Sequence, residues 1–204
     1  MNDNLSIVYY TANREKESFE NKVRENILKV SNLPIISVSQ KPIDFGKNIC
    51  IGETKQNYKN AFKQCLIGCE AATTPFVVMT EDDCLYPAKG YFDFKPTDLN
   101  TIYSYDNVWL MWNRENRTQF YKHGTTCGSI ILGREFYIKM LKEGPPDFFK
   151  PELKWEFFHG EDPIINIKTR NGISFGTTLT KRVRPQKSFS YWGTVEDIKR
   201  NYEI

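Results

Sequence analysis

Two short acidic clusters carry the residue types that could do chemistry: Glu81, Asp82 and Asp83, directly after the apolar run PFVVM, and Glu161 with Asp162, directly before Pro163. Side chains alternate along an extended segment, so Glu81 and Asp83 are expected to face one side and Asp82 the other. Two carboxylates facing one point suit a hard divalent cation such as Mg²⁺ or Mn²⁺. Such ions favour oxygen ligands and take one or two carboxylates when substrate phosphates complete the shell. The competing reading is a polar turn whose acids are merely solvated. In the second cluster one carboxylate could act as a general base toward a hydroxyl group. The alternative is that Asp162 caps a helix, because proline is favoured at the first helical position. His159 could add an imidazole to a Mn²⁺ site, although a lone histidine is more often structural. His123 has less context.

These groups need a scaffold. SIVYYT (Ser6 to Thr11) reads as a strand, and Glu17 to Leu28 as the helix after it. A second short strand, Ile35 to Val38, leads into the turn-prone QKPIDFGKN. Tyr58, Ala61, Phe62, Cys65, Leu66 and Cys69 recur at helical spacing and define one apolar face, which assigns both cysteines to the core. Pro75 to Met79 suits a strand buried on both faces, and the acidic cluster begins where it leaves the core. Val108 to Trp112 and Gly128 to Leu132 read as strands, with a helix from about Arg134 to Leu141. A last helix is expected from Pro163 to just before Gly172, then a strand from Ile173 to Phe175. Strands alternating with helices imply an α/β sheet, which binds ligands beyond the carboxyl ends of its strands.

The residues also carry a family resemblance. FVVMTEDDCLYP resembles the strand and D-x-D motif of GT-A glycosyltransferases, in the broad family-2-like inverting group, with Glu81 standing where that family usually has Asp. GETKQNYKNAFKQCLIGCEAATTPFVV resembles the helix and strand that run into the motif, CGSIILGREFYIKMLKEG the acceptor-side strand and helix, and HGEDPIINIKTRNG the G-E-D segment. The resemblance implies a GT-A, Rossmann-like mixed sheet flanked by helices in one domain spanning 1–204. Within it, a donor-binding half covers about 1–100, an acceptor half about 101–180 and a basic tail 181–204. It implies an inverting, metal-dependent transfer of a hexosyl or pentosyl group from a nucleotide diphosphate sugar, a UDP-sugar by expectation, with Mn²⁺ or Mg²⁺ at Asp83 and Glu81; His159 is the further ligand that imidazole chemistry alone would add. It implies donor contacts from Tyr10, Thr11, Asn13 and Arg14 after the first strand, where an aromatic could stack on uracil. Gln40 and Lys41 after the second strand, Asn57 at a helix start, and Glu81 with Asp82 complete that set. Asp162 would then be the base and Glu161 would hold the acceptor. An inverting displacement sets base and leaving diphosphate on opposite sides of the sugar, about one sugar ring apart.

The acceptor is left open between a glycan and a hydroxymethylated pyrimidine in DNA, since small stand-alone enzymes resembling this one include phage proteins that glycosylate such bases. KRVRPQKSFSYW interleaves Lys181, Arg182, Arg184 and Lys187 with Phe189, Tyr191 and Trp192. That run could be a solvated surface, a flap over the diphosphate, or a platform for a polyanion. A net charge of +3 in 204 residues does not by itself indicate nucleic-acid binding. Five cysteines without CxxC spacing argue against a disulfide framework and a zinc knot. No apolar run is long enough to span a bilayer and no signal peptide is visible, so a cytoplasmic location is expected. A nucleotidyltransferase is the enzymatic alternative, yet the glycine-rich phosphate loop it usually carries is missing. A two-metal nuclease and a non-catalytic nucleotide-sugar or nucleic-acid-binding domain are the other rivals.

Overall fold

The structure, a computed structural model, describes residues 4–55, 57–113, 117–148, 150–169 and 183–204. In chain order the elements are β1 (Leu5–Thr11), α1 (Glu17–Val30), β2 (Ile35–Ser39), β3 (Lys47–Cys50), α2 (Tyr58–Ala71), β4 (Phe76–Glu81), β5 (Cys84–Leu85), β6 (Thr101–Tyr105), β7 (Val108–Trp112) and β8 (Tyr121–Lys122). After these come β9 (Ile130–Gly133), α3 (Arg134–Lys142), β10 (Lys154–Phe158), β11 (Ile164–Lys168), β12 (Ser188–Phe189), β13 (Gly193–Thr194) and α4 (Val195–Asn201).

A seven-stranded sheet, in the order β10-β6-β9-β4-β1-β2-β3, forms the centre. Only β9 runs against its neighbours β4 and β6; the other pairings are parallel. The pleat divides each inner strand between two cores. Leu5, Ile7 and Tyr9 pack with Phe19, Val23 and Ile27 of α1 on one side. Val8, Tyr10, Val77 and Met79 pack with Cys65, Cys69, Tyr137 and Leu141 of α2 and α3 on the other. Burial on both faces is why PFVVM has no polar alternation, and both cysteines are core residues as expected. The chain moves outward from β1 through β2 to β3 and then returns to β4 on the opposite side of β1. That reversal opens a crevice beyond the ends of β1 and β4, the usual ligand position in such sheets.

A second sheet, β5-β11-β7-β8, begins directly after the turn that follows β4. Here the sequence expectation fails: Pro163 opens no helix, and Ile164–Lys168 is a strand parallel to β7. Ile164, Ile165, Asn166 and Ile167 are buried on both faces, and β-branched residues fit such a strand better than a helix. Asp162 is therefore not a helix cap. The expected strand from Ile173 to Phe175 lies outside the described residues. The final segment is not a loose tail: β12 and β13 pair as a ribbon, and Thr194 and Asp197 cap α4 reciprocally. Among the described residues no helix is long and apolar enough to cross a membrane.

Candidate active site

β4 delivers the first acidic cluster to the crevice. Glu81 is its last residue, and Asp82 and Asp83 form the turn into β5. The ligand atoms of Glu81, Asp83 and Cys84 all lie within 4.8 Å of one another. Glu81 is held from two sides: the Tyr10 hydroxyl donates to Oε1 (2.6 Å) and the Gly128 N–H to Oε2 (3.0 Å). A Cβ at position 128 would stand 2.8 Å from that Oε2, so glycine there lets the backbone approach the carboxylate. The Tyr86 hydroxyl accepts from the Glu81 N–H and donates to the Gly128 carbonyl, locking the two segments together. Asp82 points elsewhere, accepting from Thr11 Oγ1 at 2.5 Å. The expected division of the three acids between two sides is thus what the turn produces.

The three carboxyls share a raised proton affinity. Burial, and then the neighbouring Asp83, hold the Glu81 carboxyl above the usual carboxylate range. Burial also raises Asp83, against the pull of Lys168, and burial with Asp83 and Glu20 raises Asp82. Burial, Asp83 and Glu81 push the Cys84 thiol up. Acids whose charges repel one another in a partly dry site accommodate a divalent ion well, and two oxygen donors at the end of β4 fit the Mg²⁺ or Mn²⁺ expected from the sequence.

The loops after β1 and β2 form one network with this cluster. Thr11 Oγ1 accepts from the Asn13 N–H, and Asn13 Oδ1 accepts from the N–H groups of both Gln40 and Lys41. Asn13 adopts a left-handed φ of 50° to do so. The Gln40 side chain pairs twice with Thr54. Thr11, Asn13, Gln40, Lys41 and Asp82 are therefore brought together, and Arg14 lies exposed on the same loop. Two of the expected donor contacts serve the protein itself. Tyr10 is 8% exposed within the α2 core and organises Glu81, so its ring offers no open face to a base. Asn57 caps α2, accepting from the Asn60 N–H at 2.9 Å.

Glu161 and Asp162 stand just before β11. Four successive carbonyls pin their segment: Asn107 Nδ2 donates to Gly160 and Glu161, the Tyr105 hydroxyl to Asp162, and Trp192 Nε1 to Pro163. Both carboxylates are at least partly accessible. Burial, and then Glu161, raise the Asp162 pKa, a direction that suits a proton acceptor. Asp162 precedes Asn166, which touches Asp83, by four residues, or about 13 Å at full extension. His159 is not gathered into the acidic cluster; its Nδ1 lies 2.6 Å from Asp106 Oδ1.

Two residues of the small sheet, and His123 just beyond it, act on the acidic cluster without a strong sequence signal. Register places Asn166 and Lys168 beside Leu110 and Trp112 on one face, with Cys84 opposite Asn166. His123 follows β8, donating its N–H to the Val108 carbonyl; burial lowers its pKa, and both Lys168 and Glu81 act on it. The basic run contributes less than its composition implies. Phe189 packs on Trp109 and Phe120, and Trp192 is buried, while Arg184 and Lys187 are exposed and Lys181 and Arg182 lie outside the described residues.

No family model matches the chain, and no curated protein sequence does either. Solved structures do. The inositol-1-phosphate CTP transferase from T. maritima superposes with a TM-score of 0.51 at 9% identity, over 83% of this chain and 91% of that one. S. aureus TarS 1–349 in complex with UDP-GlcNAc gives 0.49 at 10% identity, over 82% and 59%. A glycosyltransferase involved in the glycosylation of the major capsid of PBCV-1 gives 0.48 at 10% identity, over 75% and 80%. At 9% identity the first establishes a shared mixed α/β fold and nothing of substrate.

Proposed function

We propose that the chain is a metal-dependent glycosyltransferase that moves a sugar from a nucleoside diphosphate sugar, a UDP-sugar in the simplest case, to an acceptor hydroxyl with inversion. The observation that carries this reading is the paired Glu81 and Asp83 carboxylates at the end of β4, joined through Asp82 and Thr11 to the loops after β1 and β2. The first half of the chain then binds the donor and the second half the acceptor. Glu81 and Asp83 would hold Mg²⁺ or Mn²⁺, which when bound supplies charge stabilisation to the departing diphosphate. Thr11, Asn13, Gln40 and Lys41 frame the nucleotide side, where the polypeptide is already tied into one network. Asp162 takes the acceptor proton, and Glu161 orients the acceptor. The stretch between Asp162 and Asn166 spans about 13 Å at most, which keeps the base within reach of a sugar whose diphosphate lies at the cation.

Thermal unfolding with a panel of nucleotide sugars, each with and without Mn²⁺, tests the reading, because a ligand specific to the native state raises Tm by mass action. A rise with one nucleotide sugar only in the presence of Mn²⁺, lost in Asp83→Asn, is the expected result. A metal-dependent rise with nucleoside triphosphates, and none with any nucleotide sugar, would replace sugar transfer by nucleotidyl transfer.

A further inference from the structure

The small sheet holds a polar group that the proposed function leaves without a role. Asn166 lies in the middle of β11, 2% exposed, between isoleucines that are fully buried. Its amide nitrogen donates to Asp83 Oδ1 at 3.3 Å and to Cys84 Sγ at 3.1 Å. Its amide oxygen, also buried, meets no donor. A buried acceptor without a partner is costly, whereas an apolar residue would fill this strand position without penalty. Turning the amide over does not remove the difficulty, since its oxygen would then face the Asp83 carboxylate and its nitrogen would take the unpaired place. Asn166 therefore joins the cluster of Glu81, Asp83 and Cys84 through its amide nitrogen, and its oxygen, carried on the same planar group, adds an acceptor for which no donor is present among the described residues. Lys168, two residues further on the same face, acts on both carboxylates through space but does not reach the amide oxygen.

We propose that Asn166 completes the cation site, its amide oxygen joining the carboxylates of Glu81 and Asp83 as a third, uncharged oxygen ligand. This rests on the metal-dependent reading of the cluster. Hard divalent ions accept carbonyl oxygens as readily as carboxylates, and a neutral ligand adds a bond without adding repulsion to two acids already close together. The bound ion then ties β11 of the small sheet to β4 of the central sheet, so the site holds the cation by itself and nucleotide phosphates complete the shell afterwards.

Mn²⁺ titration of the full chain, followed by the electron paramagnetic resonance signal of the free ion with and without UDP, tests the proposal. Asn166→Leu is expected to weaken Mn²⁺ binding at least tenfold in both states. Asn166→Asp, which keeps an oxygen and removes the donor, is expected to match or exceed the parent affinity. An amide that merely donates to Asp83 predicts the opposite for Asn166→Asp, which would then weaken binding and overturn the proposal even if Asn166→Leu fails to fold. Parent-like affinity in Asn166→Leu, with Asp83→Asn losing the ion, overturns the role of Asn166 and leaves the metal-dependent reading intact. A parent that binds no Mn²⁺ in either state overturns both.

Discussion

Glu81 shows how a carboxylate can be fixed in place and left electrostatically unsatisfied. One hydrogen bond from Tyr10 and one from Gly128 orient it, yet burial and Asp83 keep its proton affinity raised, and Asp82 and Asp83 are raised as well. The consequence for stability has a definite sign. A carboxyl whose folded pKa lies above its unfolded value of about 4 binds more protons in the native state, so stability is lost as pH rises from that value through the folded one. In chelator, the urea midpoint is therefore expected to be higher at pH 5 than at pH 7.5, and Asp83→Asn should flatten the difference. Saturating Mn²⁺ should stabilise more at pH 7.5 than at pH 5. A midpoint in chelator that instead climbs between pH 5 and pH 7.5 would mean the acids are solvated. Glu81, Asp82 and Asp83 were legible in the sequence because they are adjacent and follow a buried strand. Gly128 and Asn166 were not, since they reach the same point from 47 and 83 residues away in the chain.

At the scale of elements, the helices α1, α2 and α3 were readable from composition and spacing, and β1, β2, β4, β7 and β9 from short apolar runs bounded by turns or charge. β11 was not: a proline after two acids imitates a helix start, and a strand buried on both faces shows no alternation. The run of isoleucines was the available signal. α4 also carried one, Thr194 three residues before Asp197. The correction at β11 changes what a mutation at Asp162 should do. Loss of a helix cap would cost about 1 kcal/mol, but no helix follows, so Asp162→Asn and Asp162→Ala should unfold in urea within about 0.5 kcal/mol of the parent, the range of ordinary surface substitutions. Donor binding should survive, and single-turnover transfer should fall about 10²–10⁴-fold, the usual contribution of a general base. Stability loss of the size of a cap, with transfer unchanged, would return Asp162 to a structural role.

The whole molecule joins its two acidic clusters through different parts of the chain, and among the described residues the C-terminal segment bonds directly to the segment of one of them. Trp192 reaches back from the β12–β13 ribbon to donate to the Pro163 carbonyl at 2.7 Å, while Val195 and Ile198 of α4 enter the same core as Phe19, Val23 and Ile27 of α1. Asp162 stands one residue before that carbonyl; the Glu81 and Asp83 site, beside the middle of β11, is held by Tyr10, Gly128 and Asn166 instead. Trp192→Phe removes one buried hydrogen bond and part of a ring, and should lower unfolding free energy by about 1–3 kcal/mol. The Mn²⁺-dependent rise in Tm with donor should match the parent, because nothing that holds the cation has changed. Transfer should slow, because the acceptor-side segment has lost one of its four carbonyl anchors. Equal loss of donor binding and transfer would show that the two acidic clusters respond as one body, and would remove the division of labour between them.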